Sequence, residues 1–176
     1  MNVTLRKFTS ADIYNKVRWI NDESNNIYLH YDLPLELEKT QRWFDTVKYR
    51  TDRYDAVIDV DGIPVGVIGL INIDRVNLKA EYYITLGEAS YKGKGISYIA
   101  SRKLLEYAFD VIGVNKVYLN VDADNIAACN LYEKLGFRCE GIFIEDMMHR
   151  KKLIDRKRYA ILKRNWNSAF VKEVVQ

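Results

Sequence analysis

Two glycines and two lysines stand between a strand-like run, residues 80–86, and a helix-like run, residues 96–111, in Ser90-Tyr91-Lys92-Gly93-Lys94-Gly95-Ile96-Ser97. Of all the features in the chain, this one most restricts what it can fold into. The first backbone N–H groups of a helix have no partner inside the helix and point outward, and the helix dipole adds partial positive charge at the same end. A strand–loop–helix passage built this way is suited to a pyrophosphate. Gly93 and Gly95 lack a Cβ, so the main chain can approach phosphate oxygens closely. Lys92 and Lys94 add full charges. The same residues would also serve as a plain surface turn with a helix cap.

The elements around the loop alternate in type. Residues 3–8 alternate as a strand, and Thr9-Ser10-Ala11-Asp12 offers an N-cap to a helix with Ile13, Val17 and Ile20 on one face. A second helical segment, 35–49, carries Leu37, Trp43, Phe44 and Val47. Residues 54–60 alternate as a strand, Asp61-Gly62 is a two-residue hairpin signal, and 63–73 pairs back. Residues 77–86 complete a meander. Helix 96–111, strand 115–121, helix 125–135, strand 137–147 and a last strand with its tail over 152–166 follow. A meander, a βαβ crossover and a closing hairpin make an α/β chain with a mixed sheet and helices on both faces.

With 176 residues, 48% hydrophobic and 29% charged, the chain suits a single domain over residues 1–176. It has no apolar run of about 18 residues, which argues against a membrane partner. Residues 1–6 lack an apolar leader and read as the first strand, so the cytoplasm is the expected compartment. Cys129 and Cys139 make no disulfide framework, and with His30 and His149 they lack ligand spacing, so no metal is expected. The net charge of +3 does not argue for nucleic acid. The basic groups at 149–152 and 156–158 read as a solvated hairpin face.

After strand 115–121 comes Asp122-Ala123-Asp124-Asn125-Ile126-Ala127-Ala128-Cys129-Asn130-Leu131-Tyr132-Glu133-Lys134-Leu135-Gly136-Phe137. Together with the glycine loop, this segment resembles the Gcn5-related N-acetyltransferases, the GNAT superfamily, whose helix reads Asn-x-x-Ala-x-x-Leu-Tyr-x-x-x-Gly-Phe. The resemblance covers nearly the whole chain, most weakly over residues 22–53. It implies the GNAT fold, a mixed, mostly antiparallel sheet of about seven strands. It also implies acetyl-CoA as co-substrate and transfer of the acetyl group to a primary amine. Relatives of this type pair as dimers, which makes a homodimer an expectation here.

The resemblance assigns roles to particular residues. Glu81 is the candidate base, acting directly or through water; its apolar neighbours would tend to raise its pKa. The plainer alternative is a strand carboxylate paired with a cation. Tyr132 is the candidate acid for the departing thiolate, and the alternative is a core tyrosine whose hydroxyl finds a partner. Cofactor binding falls to Lys92, Gly93, Lys94, Gly95, Ile96 and Ser97, to Ile84 and Leu86 on the preceding strand, and to Asn125 and Asn130. Asn125 also suits an N-cap. A backbone N–H within 83–86 would hold the oxyanion. Ser90 stands where the family carries Gln or Arg, which removes side-chain donors from the loop.

The acceptor would be met by the aperiodic segment 21–34, in which Asp22, Glu23, Tyr28, His30 and Tyr31 are the candidates. Carboxylates beside aromatics suit a cationic amine or a sugar; a solvated loop with aromatic anchors is the alternative. The layout is similar both to the ribosomal-protein-alanine and spermidine acetyltransferases and to enzymes acting on nucleotide-linked amino sugars. A small-molecule amine, either polyamine or nucleotide-linked amino sugar, is the expected acceptor. A protein N-terminus, or a sensor domain binding CoA without turnover, are the other readings.

Overall fold

The computed structural model describes residues 1–166; residues 167–176, part of the single-domain expectation, lie outside them. Seven strands form one sheet in the order β1-β2-β3-β4-β5-β7-β6. They are β1 (Val3–Lys7), β2 (Tyr54–Val60), β3 (Ile63–Asp74), β4 (Lys79–Leu86), β5 (Lys116–Asp122), β6 (Arg138–His149) and β7 (Lys152–Leu162). The helices are α1 (Ile13–Asn21), α2 (Glu23–Asn26), α3 (Leu37–Val47), α4 (Ile96–Glu106) and α5 (Ile126–Lys134). β4 and β5 pair in parallel, whereas β1–β2, β2–β3, β5–β7 and β6–β7 pair antiparallel. The sheet is mixed, as the sequence implied. The described backbone parts into two compact units, residues 1–71 with 83–104, and residues 72–82 with the described residues from 105.

In the first unit, Asp61 and Gly62 both take left-handed φ values, 51° and 83°, giving the tight hairpin that the Asp-Gly pair predicts. Ala56–Ile58 and Val65–Leu70 are buried without alternation, so both faces of β2 and β3 are covered there. On one face Val57 and Val67 join Phe8, Ile13 and Trp19, with Val17, Trp43, Phe44 and Tyr83 packed against them. Helix α1 starts where Asp12 accepts the Thr9 N–H at 2.9 Å and is clamped by both Arg6 guanidinium nitrogens, at 2.8 and 2.6 Å. It presents Ile13, Trp19 and Ile20 to the core. Each such large apolar side chain contributes roughly 2 kcal/mol by leaving water.

In the second unit, β5 lies between β4 and β7, and Val117 and Leu119 are buried in its centre. Four aromatic rings, Tyr82, Tyr132, Phe137 and Tyr159, pack within about 6 Å of one another along a chain of tilted and edge-on contacts. The helix that begins as α4 widens into a π-helical turn over Tyr107–Ile112 and stops at Gly113, whose φ is 82°. Strand β4 begins at Lys79 rather than at residue 77, because the Asp74 carboxylate holds Val76 and Asn77 in a turn.

Candidate active site

Parallel pairing of β4 with β5 covers only Lys79↔Lys116, Ala80↔Val117 and Glu81↔Tyr118. Strand β4 continues to Leu86, so the main chain of residues 83–86 has no β5 partner in this register. An unpaired stretch of extended backbone presents N–H donors to whatever occupies that edge.

Glu81 is half-buried and accepts a hydrogen bond from Asn72 Nδ2 at 2.8 Å. Its sequence neighbours Ala80 and Tyr82 are buried on the opposite face of the strand, so they do not enclose the carboxylate. Across the β4–β5 pair stands Tyr118, with the Arg158 guanidinium over its ring at 4.1 Å. Burial, and next the Glu81 charge, raise the Tyr118 phenol. Glu81 thus sits in a polar surround made by Asn72 and Tyr118, which lie outside the motif that singled it out.

Tyr132 is 8% exposed, on α5, with its ring against Tyr82, Phe137 and Tyr159. Among the described residues its hydroxyl has no hydrogen bond, yet it is not one of the fully enclosed polar atoms that lack a partner. Burial pushes the phenol well above its ordinary range, which keeps the proton on oxygen at neutral pH. The neighbouring Tyr159 hydroxyl donates to Glu133 at 2.7 Å, so its proton is already engaged.

The glycine loop runs into α4 as expected. Gly93 and Gly95 adopt φ values of 74° and 76°, and a Cβ at either would meet nothing within 4 Å. The glycines are needed here for their left-handed backbone rather than to relieve a contact inside the protein, and the space they leave is open. Ile96 is buried and Ser97 half-buried at the first turn, where the Ser97 carbonyl accepts from Ser101 at 2.6 Å. Lys94 stacks over Tyr91 at 5.5 Å, and Lys92 Nζ reaches the Ser24 carbonyl at 3.3 Å. Asn125 is the N-cap of α5, accepting the Ala128 N–H at 3.2 Å, and Asn130 is exposed.

The acceptor candidates divide. Asp22 caps α2, taking the Ser24 N–H at 2.8 Å and its hydroxyl at 2.7 Å, contacts that hold the carboxyl below its usual range. Glu23 is exposed on α2, Tyr28 and His30 lie in the following segment, and Tyr31 lines a cavity. This corner is laced to the β4–α4 connection. Asn25 Nδ2 bonds the Gly87 carbonyl at 2.8 Å, while Glu88 accepts from Trp19 Nε1 at 2.8 Å and from Arg18.

The cavity, about 680 Å³, lies in the first unit between α1, the 31–36 segment, α3 and the β3 and β4 strands. Lys16, Trp43, Arg53 and Tyr83 line it together with Tyr31. Arg53 grips Asp55 with two hydrogen bonds of 2.6 and 2.7 Å, and the Tyr83 hydroxyl donates to the same carboxylate at 2.5 Å. Burial, then Asp55, drives the Tyr83 phenol far above its usual range. Tyr31 is 39% exposed, but its hydroxyl is desolvated and its pKa is raised for that reason. Lys16 escaped the sequence reading, although it stands at the i+3 position of the apolar stripe Ile13, Val17, Ile20, where a charge is out of place.

Spermidine N(1)-acetyltransferase of Escherichia coli (strain K12) is 37% identical over 93 residues, covering 53% of this chain and 47% of that enzyme. The chain therefore matches about half the length of that relative. Spermidine N(1)-acetyltransferase of Vibrio cholerae is 27% identical over 162 residues, 91% of this chain and 92% of that one. The crystal structure of spermidine N-acetyltransferase from Vibrio cholerae in complex with CoA and spermine superposes with a TM-score of 0.88 at 25% identity, covering 94% and 98% of the two chains. The family model of the acetyltransferase (GNAT) domain matches residues 2–138, and the chain belongs to that family.

Proposed function

We propose that the protein is an acetyl-CoA-dependent N-acetyltransferase acting on the primary amine of a small molecule, a polyamine in the first instance. The observation that carries this reading is the parallel pairing that stops at Glu81 while β4 runs on toward the open glycine loop at the start of α4. The relatives' names favour a polyamine over a nucleotide-linked amino sugar or a protein N-terminus. No helix among the described residues is long and apolar enough to cross a membrane, and they hold no cluster of His, Cys, Asp or Glu arranged for a metal. One acetyltransferase domain spanning the chain, a cytoplasmic setting and a homodimer belong to the same proposal.

Acetyl-CoA supplies the acetyl group as an activated thioester. The N–H groups of Gly93, Lys94, Gly95, Ile96 and Ser97, with the charges of Lys92 and Lys94, would hold its pyrophosphate, and the main chain of Ile84 and Leu86 its pantetheine arm. Asn130, exposed on α5, is available to the same arm. Glu81 takes the proton that the ammonium must lose before nitrogen can attack, directly or through water. A backbone N–H within 83–86 donates to the carbonyl oxygen as negative charge grows there. The Tyr132 hydroxyl gives its proton to the departing sulfur, and its buried ring fixes where that proton is delivered. In the acceptor segment, Asp22, Glu23, Tyr28, His30 and Tyr31 are the contacts assigned to substrate, the Asp22 carboxylate also capping α2.

The test is thiol release from acetyl-CoA against polyamines, nucleotide-linked amino sugars, amino acids and peptides with free N-termini. Turnover with spermidine or spermine supports the proposal. Turnover with another class reassigns the acceptor, and CoA binding with no turnover of any amine makes the domain a sensor.

A further inference from the structure

We propose that the cavity of the first unit is a receptor for a small organic monocarboxylate, whose anionic end pairs with the Lys16 ammonium and whose apolar body lies against Trp43, Leu33, Leu35 and Ile71. The inference does not rest on the acetyltransferase reading, although Tyr31, assigned there to the acceptor, also lines this cavity.

Lys16 is 7% exposed, and among the described residues it has no hydrogen bond and no ion pair. Its Nζ lies over the Trp43 ring at 3.4 Å and near Phe8 at 5.6 Å, so its protein neighbours are aromatic faces. The nitrogen is not among the fully enclosed unpartnered atoms, and Lys16 lines the cavity, so the ammonium opens into that space. A buried charge without a counter-ion is costly, and a bound anion would complete it.

The charges around it set the ligand's sign and valence. Asp55 is committed to Arg53 and Tyr83, so Lys16 and Arg53 against one carboxylate leave a single positive charge at the floor. That suits a monoanion better than a phosphate dianion. A polyamine would meet two cations there. At the mouth, Lys39 pairs with Glu36 at 2.6 Å in solvent, and the exposed Asp32 is screened by water. A space of about 680 Å³ admits a ligand of metabolite size, and its Leu33, Leu35, Ile71 and Trp43 walls favour an apolar tail.

Titration of the lining groups gives an internal check. Burial brings Lys16 down to about 8, with Asp55 pulling up and Arg53 pushing down. Around it, Arg53 and Lys39 are raised, Asp55 is lowered, and Tyr31 and Tyr83 are raised, while the Asp32 and Glu36 carboxylates stand at the mouth. Lys16 is therefore the lining cation that loses its charge as pH rises above neutrality.

The experiment is isothermal titration of the full chain with butyrate, hexanoate and 3-phenylpropionate, with the primary amide of each, and with spermidine as the opposite charge. At about pH 7 a carboxylate should bind about tenfold or more tighter than its amide, as expected for a hydrogen bond to a charged group. Lys16→Met should erase that preference. The wild-type protein should lose about tenfold in carboxylate affinity by about pH 9, where the acid stays ionised and Lys16 does not. This arm needs no variant, so a folding defect in Lys16→Met cannot mask the answer. Equal affinity for acid and amide, no carboxylate binding, or a flat pH response would each overturn the proposal. None of these outcomes bears on thiol release, which reports the acetyltransferase reading alone.

Discussion

Lys16→Met is also a test of the packing itself. The ordinary lysine value of 10.5 is brought down to about 8 inside the fold, chiefly by burial. At roughly 1.4 kcal/mol per pH unit, that is a penalty of about 3 kcal/mol on the charged form. The Trp43 face offsets about two-thirds of it, since a desolvated cation–π contact contributes about 2 kcal/mol. Methionine keeps the length of the side chain and removes both contributions, so the variant should be more stable by about 1 kcal/mol at neutral pH. The pH dependence is more diagnostic than that small remainder. A folded-state pKa below the unfolded one means that between about 8 and 10.5 the unfolded chain binds more protons, so wild-type stability rises with pH in that window. The advantage of Met should therefore be full below about pH 8 and shrink by about 1 kcal/mol between about pH 7 and pH 9. Urea unfolding followed by far-UV circular dichroism at several pH values measures the difference. A difference that stays flat over this range refutes the reasoning, because the ammonium would then be solvated or fully held by Trp43.

Three further outcomes are expected. Tyr132→Phe should lower kcat by about a hundredfold or more while leaving acetyl-CoA affinity unchanged; equal losses in steady-state rate and in titrated affinity would make the residue a packing element. Glu81→Gln should depress the rate most at low pH, where free amine is scarce, and a pH–rate profile parallel to wild type would remove Glu81 as the base. Gly87→Ala drives a Cβ to within 2.0 Å of the Trp19 ring and should destabilise by about 2 kcal/mol, read as a fall in Tm; an unchanged Tm would mean that α1 is not seated as described.

What could be read from the sequence follows a physical divide. Asp61-Gly62, the glycine loop and the Asn125 cap are local rules, each decided by φ values or orphan N–H groups within four residues, and each appears where the sequence placed it. Asp22 follows the same kind of rule, since Asp-x-Ser at the head of a four-residue helix makes a cap, and the carboxylate assigned to the acceptor also holds α2. Contacts that join distant segments left no local trace. Trp19 fills the space that Gly87 leaves, sixty-eight residues on, and Tyr83 completes the Arg53–Asp55 pair from another strand. Lys16 stands between the two cases. Its place on the apolar face of α1 was visible as a charge at the wrong period, yet the cavity that gives the charge a purpose needs α3, β3 and β4 around it. Packing alone has no use for an ammonium there, since an aliphatic side chain would fill the site without the desolvation penalty. A buried cation that faces an open cavity with its nearest carboxylate already taken is explained by what can enter the cavity, and the cost of keeping it argues that something does.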